Sequence, residues 1–226
     1  MPKKNLEVEK RAERSFKMAD MRAIAPTENN NQATITGHAA VFNQITNICD
    51  WFNEIIEWGA FARTDFTDVL FSVNHDLQKI PLARSRNNNA NSTLQLQVDN
   101  IGLAVRANLD IENNMDSKSL YSSIDRGDMD GMSFIFYVEE ERWEGLDTDM
   151  PTRHIMSISK VVEVSAVNFP AYSGTDIALS RDNDALDSAK LALENARSQN
   201  KPEGEDGEAR QKLELEKLRT ETLLKL

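Results

Sequence analysis

With 226 residues, 40% of them hydrophobic, the chain has room for one core domain of roughly 150 residues diluted by polar extensions, or for two small domains at most. Its 37 acidic against 26 basic residues give a formal net charge of -11, which argues against a phosphate backbone as the main partner and disfavours nucleic acid. A single cysteine, Cys49, excludes an intramolecular disulfide and Cys-rich zinc sites, and no apolar run approaches the roughly 18 residues of a membrane span, so the expectation is a soluble, non-secreted protein of a reducing compartment.

Residues 1–20 are densely charged, from Met1-Pro2-Lys3-Lys4 through Glu7-Val8-Glu9-Lys10-Arg11, and read as a frayed or partner-dependent extension. A strand is expected over 32–42 after the Asn-rich turn Glu28-Asn29-Asn30-Asn31, with His38 as a structural or surface residue. Residues 51–58 are aromatic and β-branched and predict a second strand, broken by Gly59-Ala60-Phe61; Thr64 or Asp65 then offers an N-cap for a short helix. The run Val69-Leu70-Phe71-Ser72-Val73 has the nearly continuous apolar character of a central strand, and it delivers Asn74-His75-Asp76 at its end.

Beyond a polar segment at 86–91, Leu94, Leu96 and Val98 alternate with period two, as do Leu103, Val105, Ala107 and Leu109, and Asp99-Asn100-Ile101-Gly102 between them is hairpin chemistry. Residues 116–126 read as a helix capped by Asp116 or Ser117 and closed by Gly127. It leads through the turn Asp128-Met129-Asp130-Gly131 into a buried strand over 132–138, then a charged, solvated connection over 139–147. One or two strands follow over 154–158 and 161–167. Past Arg181 the composition turns polar, with a helix-like stretch over 182–197, a linker over 199–207, and Leu215, Leu218 and Leu226 among charges in the last segment. The expected organisation is a charged extension over 1–20, a core domain over 21–180 and a removable helical tail over 181–226.

Three polar residues sit where apolar ones are expected. Ser133 heads a buried strand, either as a hydroxyl satisfied by a neighbouring carbonyl or as an activated nucleophile that needs a base and a group to orient the base. His75 at a strand end has the rigid, accessible placement of a general base. Glu163 lies between valines on a strand, where burial is costly unless it meets a strong donor: an arginine such as Arg106 or Arg153, or a catalytic histidine. His38, His75 and His154 have no metal-ligand spacing, no glycine loop cradles a phosphate, and no cofactor or metal is expected.

Taken together, Gly37-His38-Ala39-Ala40-Val41-Phe42-Asn43, Glu54-Ile55-Ile56-Glu57-Trp58-Gly59-Ala60-Phe61, Asn74-His75-Asp76, Gly131-Met132-Ser133-Phe134 and Glu163-Val164-Ser165-Ala166-Val167-Asn168-Phe169-Pro170-Ala171 resemble the prohead proteases of tailed bacteriophages, serine endopeptidases related to herpesvirus assemblins. The resemblance implies a mainly β fold, a closed antiparallel β-barrel of assemblin type surrounded by short helices, with Ser133 as nucleophile and His75 as general base. In assemblins the third member is a second histidine. Here Glu163 stands in the matching strand and a carboxylate can do the same work, with His154 ranked second because it lies outside that strand. The paired arginines that follow the third member in assemblins are absent, which leaves backbone amides as the expected oxyanion donors. The implied partners are the major capsid protein with its scaffolding segment and the protein itself, by autoprocessing, with room for a homo-oligomer and none for nucleic acid or membrane. The implied location is the host cytoplasm, inside the assembling procapsid. A non-catalytic scaffolding or capsid-assembly protein on the same fold is the alternative.

Overall fold

The computed structural model describes residues 10–17, 20–27, 32–168 and 183–200. In chain order these form β1 (Lys10–Lys17), β2 (Arg22–Ile24), β3 (Ala33–Val41), β4 (Thr46–Ile48), β5 (Phe52–Ile56), β6 (Asp68–Val73), β7 (Ala83–Arg86), β8 (Leu94–Val98), β9 (Gly102–Leu109), α1 (Met115–Asp125), β10 (Gly131–Glu144), β11 (Thr152–Val167) and α2 (Asn183–Gln199). The fold is mainly β with few helices, as expected.

The long antiparallel ribbon of β10 and β11 is its axis. The far edge of β11 is shared between two parallel neighbours: Thr152–Ile155 pair with β5, and Glu163–Ala166 pair with β6. β4 extends the sheet beyond β5, β7 extends it beyond β6, and β1 lies antiparallel on the outer edge of β10. A second, all-antiparallel sheet runs β2-β3-β9-β8. Among the described residues neither sheet closes on itself, so the expected closed antiparallel barrel is corrected to two open sheets, one of them mixed. Splitting one edge of β11 between two parallel strands prevents that edge from returning to β1.

The sheets face each other across one apolar core. Ile35, Leu103 and Val105 of the small sheet join Phe71, Phe134, Phe136 and Val164 of the large one, all of them buried. Gly37 permits a close approach between them, because a Cβ there would stand 2.9 Å from Met132 Sδ on β10. Phe134 and Phe136, two residues apart on one face of β10, stack with centroids 4.4 Å apart.

The β8–β9 hairpin and the strands over β3, β5 and β6 follow the sequence pattern. In α1 the cap is Asn114, whose side chain accepts from the N–H groups of Asp116 and Ser117, so the helix starts before the expected Asp116 or Ser117. Gly127 closes it at φ 75°, its N–H reaching Ile124 O at 3.0 Å. No helix starts at Thr64: Thr64 Oγ1 and the Asp65 N–H are spent on the carbonyls of Ile158 and Ser159. The expected connection over 139–147 is largely the continuation of β10, held to β11 by the pairs Arg142↔His154 and Trp143↔Arg153. The charged segment expected to fray forms β1 over residues 10–17. The polar tail begins as α2, whose Leu193 packs with Ile48 and Phe52; its remainder, residues 201–226, lies outside the described residues. No described helix is long and apolar enough to cross a membrane.

Candidate active site

The large sheet assembles a polar row by register alone. Ser133 of β10 stands opposite Ser165 of β11, and Ser165 stands opposite Ser72 of β6, so the three residues share one face of three adjacent strands. Glu163 precedes Ser165 by two and therefore shares that face. All four residues are buried.

His75 reaches the row from the turn after β6. Asn74 and His75 both adopt the left-handed conformation, at φ 52° and 56°, which costs on the order of 1–3 kcal/mol each and persists only where neighbours over-determine it. Here they do. The Asn74 N–H donates to Ala166 O at 2.9 Å, the Asn168 N–H donates to Asn74 Oδ1 at 3.0 Å, and the His75 N–H donates to Ser165 Oγ at 2.9 Å.

The imidazole so placed bridges the two predicted partners. His75 Nε2 is 2.6 Å from Ser133 Oγ, and His75 Nδ1 is 2.7 Å from Glu163 Oε2. The other carboxylate oxygen of Glu163 accepts from Ser165 Oγ at 2.6 Å and from Ser72 Oγ, and the two hydroxyls are 2.7 Å apart. Glu163 thus has no arginine partner in this network: of the two considered, Arg153 binds Glu54 and Glu141, and Arg106 binds Thr34. The hydroxyls of Ser72 and Ser165 compensate its burial and fix its orientation. Sequence reading missed both serines, although each carries the signal that singled out Ser133, a hydroxyl on an otherwise apolar strand.

The other histidines lie elsewhere. His154 Nδ1 is 2.6 Å from Glu57 and its Nε2 is 3.4 Å from Glu144, nine residues before Glu163 on β11. His38 is buried between Asp20 and Asp99, its Nε2 3.0 Å from Asp99. Burial by itself would lower the pKa of His38, but hydrogen bonds to Asp99 and Asp20, followed by their charges, outweigh it and hold the pKa above the ordinary 6.5. No cluster able to hold a metal ion occurs among the described residues.

The N-terminal strand completes the surroundings. Ser133 Oγ donates to Arg14 O at 2.9 Å, and Glu13 Oε1 stands 3.2 Å from His75 Nε2. The Arg14 side chain is buried against Glu54, with Nη2 2.7 Å from Oε2 and Nε on Oε1, and Arg153 Nη1 reaches the same carboxylate at 3.0 Å. Burial opposes ionisation of Glu54, but the guanidiniums of Arg14 and Arg153 prevail and hold its pKa below the usual carboxylate range.

A family model described as caudovirus prohead serine protease matches residues 18–188. Among solved structures, the capsid assembly protease gp21 of bacteriophage T4 matches with a TM-score of 0.42 and 11% identity, over 71% of this chain and 98% of that one. Comparison with curated proteins gave no match.

Proposed function

The chain belongs to the caudovirus prohead serine protease family, and from that premise we propose that Ser133, His75 and Glu163 form the triad of an endopeptidase that cleaves the scaffolding segment of the major capsid protein, and its own chain, during procapsid maturation. The observation that supports this reading is the relay Ser133–His75–Glu163, with bonds of 2.6 and 2.7 Å between side chains from three separate elements.

In such a reaction Ser133 Oγ attacks the scissile carbonyl carbon while neutral His75 takes the hydroxyl proton at Nε2. Glu163 accepts from Nδ1–H, fixes the tautomer and stabilises the imidazolium. The imidazolium then gives its proton to the departing amine, which leaves an acyl-Ser133 that water, deprotonated by the same nitrogen, hydrolyses. Backbone amides beside Ser133 serve as the oxyanion donors in this reading. The working place is inside the assembling procapsid, in the host cytoplasm. The polar segment from Arg181 onward acts as the targeting tail, to be cut away once it has served.

Co-expression with the capsid protein of the same phage, followed by mass determination of the fragments, is the test. Ser133→Ala should leave a folded protein and an uncut capsid chain. Processing at the normal rate would overturn the assignment, and an uncut capsid chain with the unaltered protein would favour a non-catalytic assembly role.

A further inference from the structure

The strand β1 precedes the residues matched by the family model, yet it lies against Ser133. It runs antiparallel along β10 in unbroken register from Lys10↔Val138 to Lys17↔Gly131, which places the carbonyl of Arg14 on the hydroxyl of Ser133. An extended peptide that lends its carbonyl to the nucleophile is bound as a substrate would be, by adding a strand to the sheet. Arg14 is then the residue on the acyl side of the bond presented. Its side chain fills a closed pocket with Glu54 of β5 as its floor. Nε and Nη2 pair with the Glu54 carboxylate, Nη1 donates to Glu13 O at 2.6 Å, and both side chains are at most 3% exposed.

The protons show why this occupant is held rather than attacked. Ser133 has one hydrogen and donates it to Arg14 O, so it can only accept from His75 Nε2. Nδ1 faces the Glu163 carboxylate and Nε2 also faces Glu13 Oε1 at 3.2 Å. A hydroxyl proton directed at Arg14 O is not directed at His75 Nε2, the nitrogen that must take it. With β1 in place, Ser133 is also fully buried.

Resting on the protease reading above, we propose that β1 is a pseudo-substrate plug. The working enzyme sheds it, then binds an extended peptide whose arginine replaces Arg14 on Glu54, on the acyl side of the cleaved bond. Removing β1 takes the two-pronged hydrogen bond of Arg14 off the buried Glu54 carboxylate and leaves it the single prong from Arg153 Nη1. A guanidinium restores both the charge and the two-pronged hydrogen bond, a lysine supplies one prong, and an apolar residue supplies neither. α2 packs against β1, so the C-terminal segment braces the plug.

The test uses the full chain and diisopropyl fluorophosphate, which phosphorylates a nucleophilic serine with loss of fluoride and is read by intact mass. In one variant Arg11→Cys and Tyr137→Cys, opposite each other across β1 and β10, are combined with Cys49→Ser, so that oxidation staples the plug and reduction frees it. In a second, Ala12→Pro and Ser15→Pro open the ladder, since these positions have opposite parity and one of their N–H groups faces β10. Labelling should be at least about tenfold slower when the staple is oxidised than when it is reduced, and about tenfold faster in the proline variant than in the unaltered chain. Equal rates across the stapled and reduced forms would overturn the plug. Absence of labelling in every form would instead remove the nucleophile, and the plug with it. On fluorogenic peptides, the proline variant, or the reduced staple if the prolines prevent folding, should prefer arginine to leucine on the acyl side by about a hundredfold in kcat/KM, and Glu54→Gln should erase most of that preference. No preference for arginine would overturn the pocket.

Discussion

Two histidines meet β11, and both hold a carboxylate on Nδ1: His75 that of Glu163 at 2.7 Å, and His154 that of Glu57 at 2.6 Å. A histidine oriented by a carboxylate therefore does not by itself make a site. What differs is the other nitrogen. His75 Nε2 meets a buried serine hydroxyl at the head of β10, whereas His154 Nε2 meets Glu144, a half-exposed carboxylate 3.4 Å away near the end of the same strand. The first arrangement can move a proton to and from an attacking oxygen; the second has no hydroxyl within reach to activate among the described residues. The anchoring differs as well. His75 sits on two left-handed residues tied to β11, a conformation that costs free energy and serves placement, while His154 lies within the regular ladder of β11.

The sharpest way to break this comparison is to remove the carboxylate behind His75 and, separately, the ring of His154. Glu163→Gln should lower kcat on a peptide substrate by about three to four orders of magnitude, because the amide favours the wrong tautomer, with little loss of thermal stability. His154→Gln should instead lower the melting temperature and leave kcat/KM within about twofold. The reverse ranking would transfer the supporting role to His154.

A finer cut takes away the hydroxyls behind Glu163. Ser165→Ala deletes both the acceptor for the His75 N–H and a donor to Glu163, so the ring should drift and kcat should fall by about a hundredfold. Since Ser165 acts through His75 and Glu163, Ser165→Thr should recover activity and the pH profile. A loss of stability matching the loss of rate would mark the residue as merely structural.

The smallest effect concerns His38, which touches no catalytic group. Its folded pKa is raised, so its contribution is fully present below its unfolded pKa and is lost as the pH rises through the raised folded value. The melting temperature should therefore drop slightly, on the order of 2 °C, on the alkaline side of 6.5, and His38→Gln should flatten that step. Asp20 and Asp99 are the groups that face it, and a step that survives in the variant would belong to another residue.

What was legible in the sequence was polarity out of place. Ser133 and Glu163 stand out because each interrupts an apolar strand, His75 because it stands at the end of one, and the hairpin of β8 and β9 because its alternation has period two. The elements that escaped are those stabilised by ion pairs and small polar residues instead of apolar burial. β1 reads as Lys-Arg-Ala-Glu-Arg-Ser-Phe-Lys, a solvated extension by hydropathy, and what buries it is its ladder on β10 and the meeting of Arg14 with Glu54, 40 residues away. β7 is Ala-Arg-Ser-Arg, in which only Ala83 and Ser85 are buried. The last third of β10 looked solvated for the same reason, since its Glu141 is balanced by Arg153 twelve residues on. The closed barrel failed on another ground: no local pattern reveals that β11 divides one edge between β5 and β6.

The register of β1 on β10 also bears on the order of synthesis. Residues 10–17 leave the ribosome first, Ser133 more than a hundred residues later, and Glu163 thirty residues after that, while His75 can be seated only when Ser165 and Ala166 are there to hold its turn. At no stage of translation do Ser133, His75 and Glu163 all exist before the strand that covers Ser133 has been made. If β1 is the plug proposed above, the order of the chain makes the cover before the site it covers.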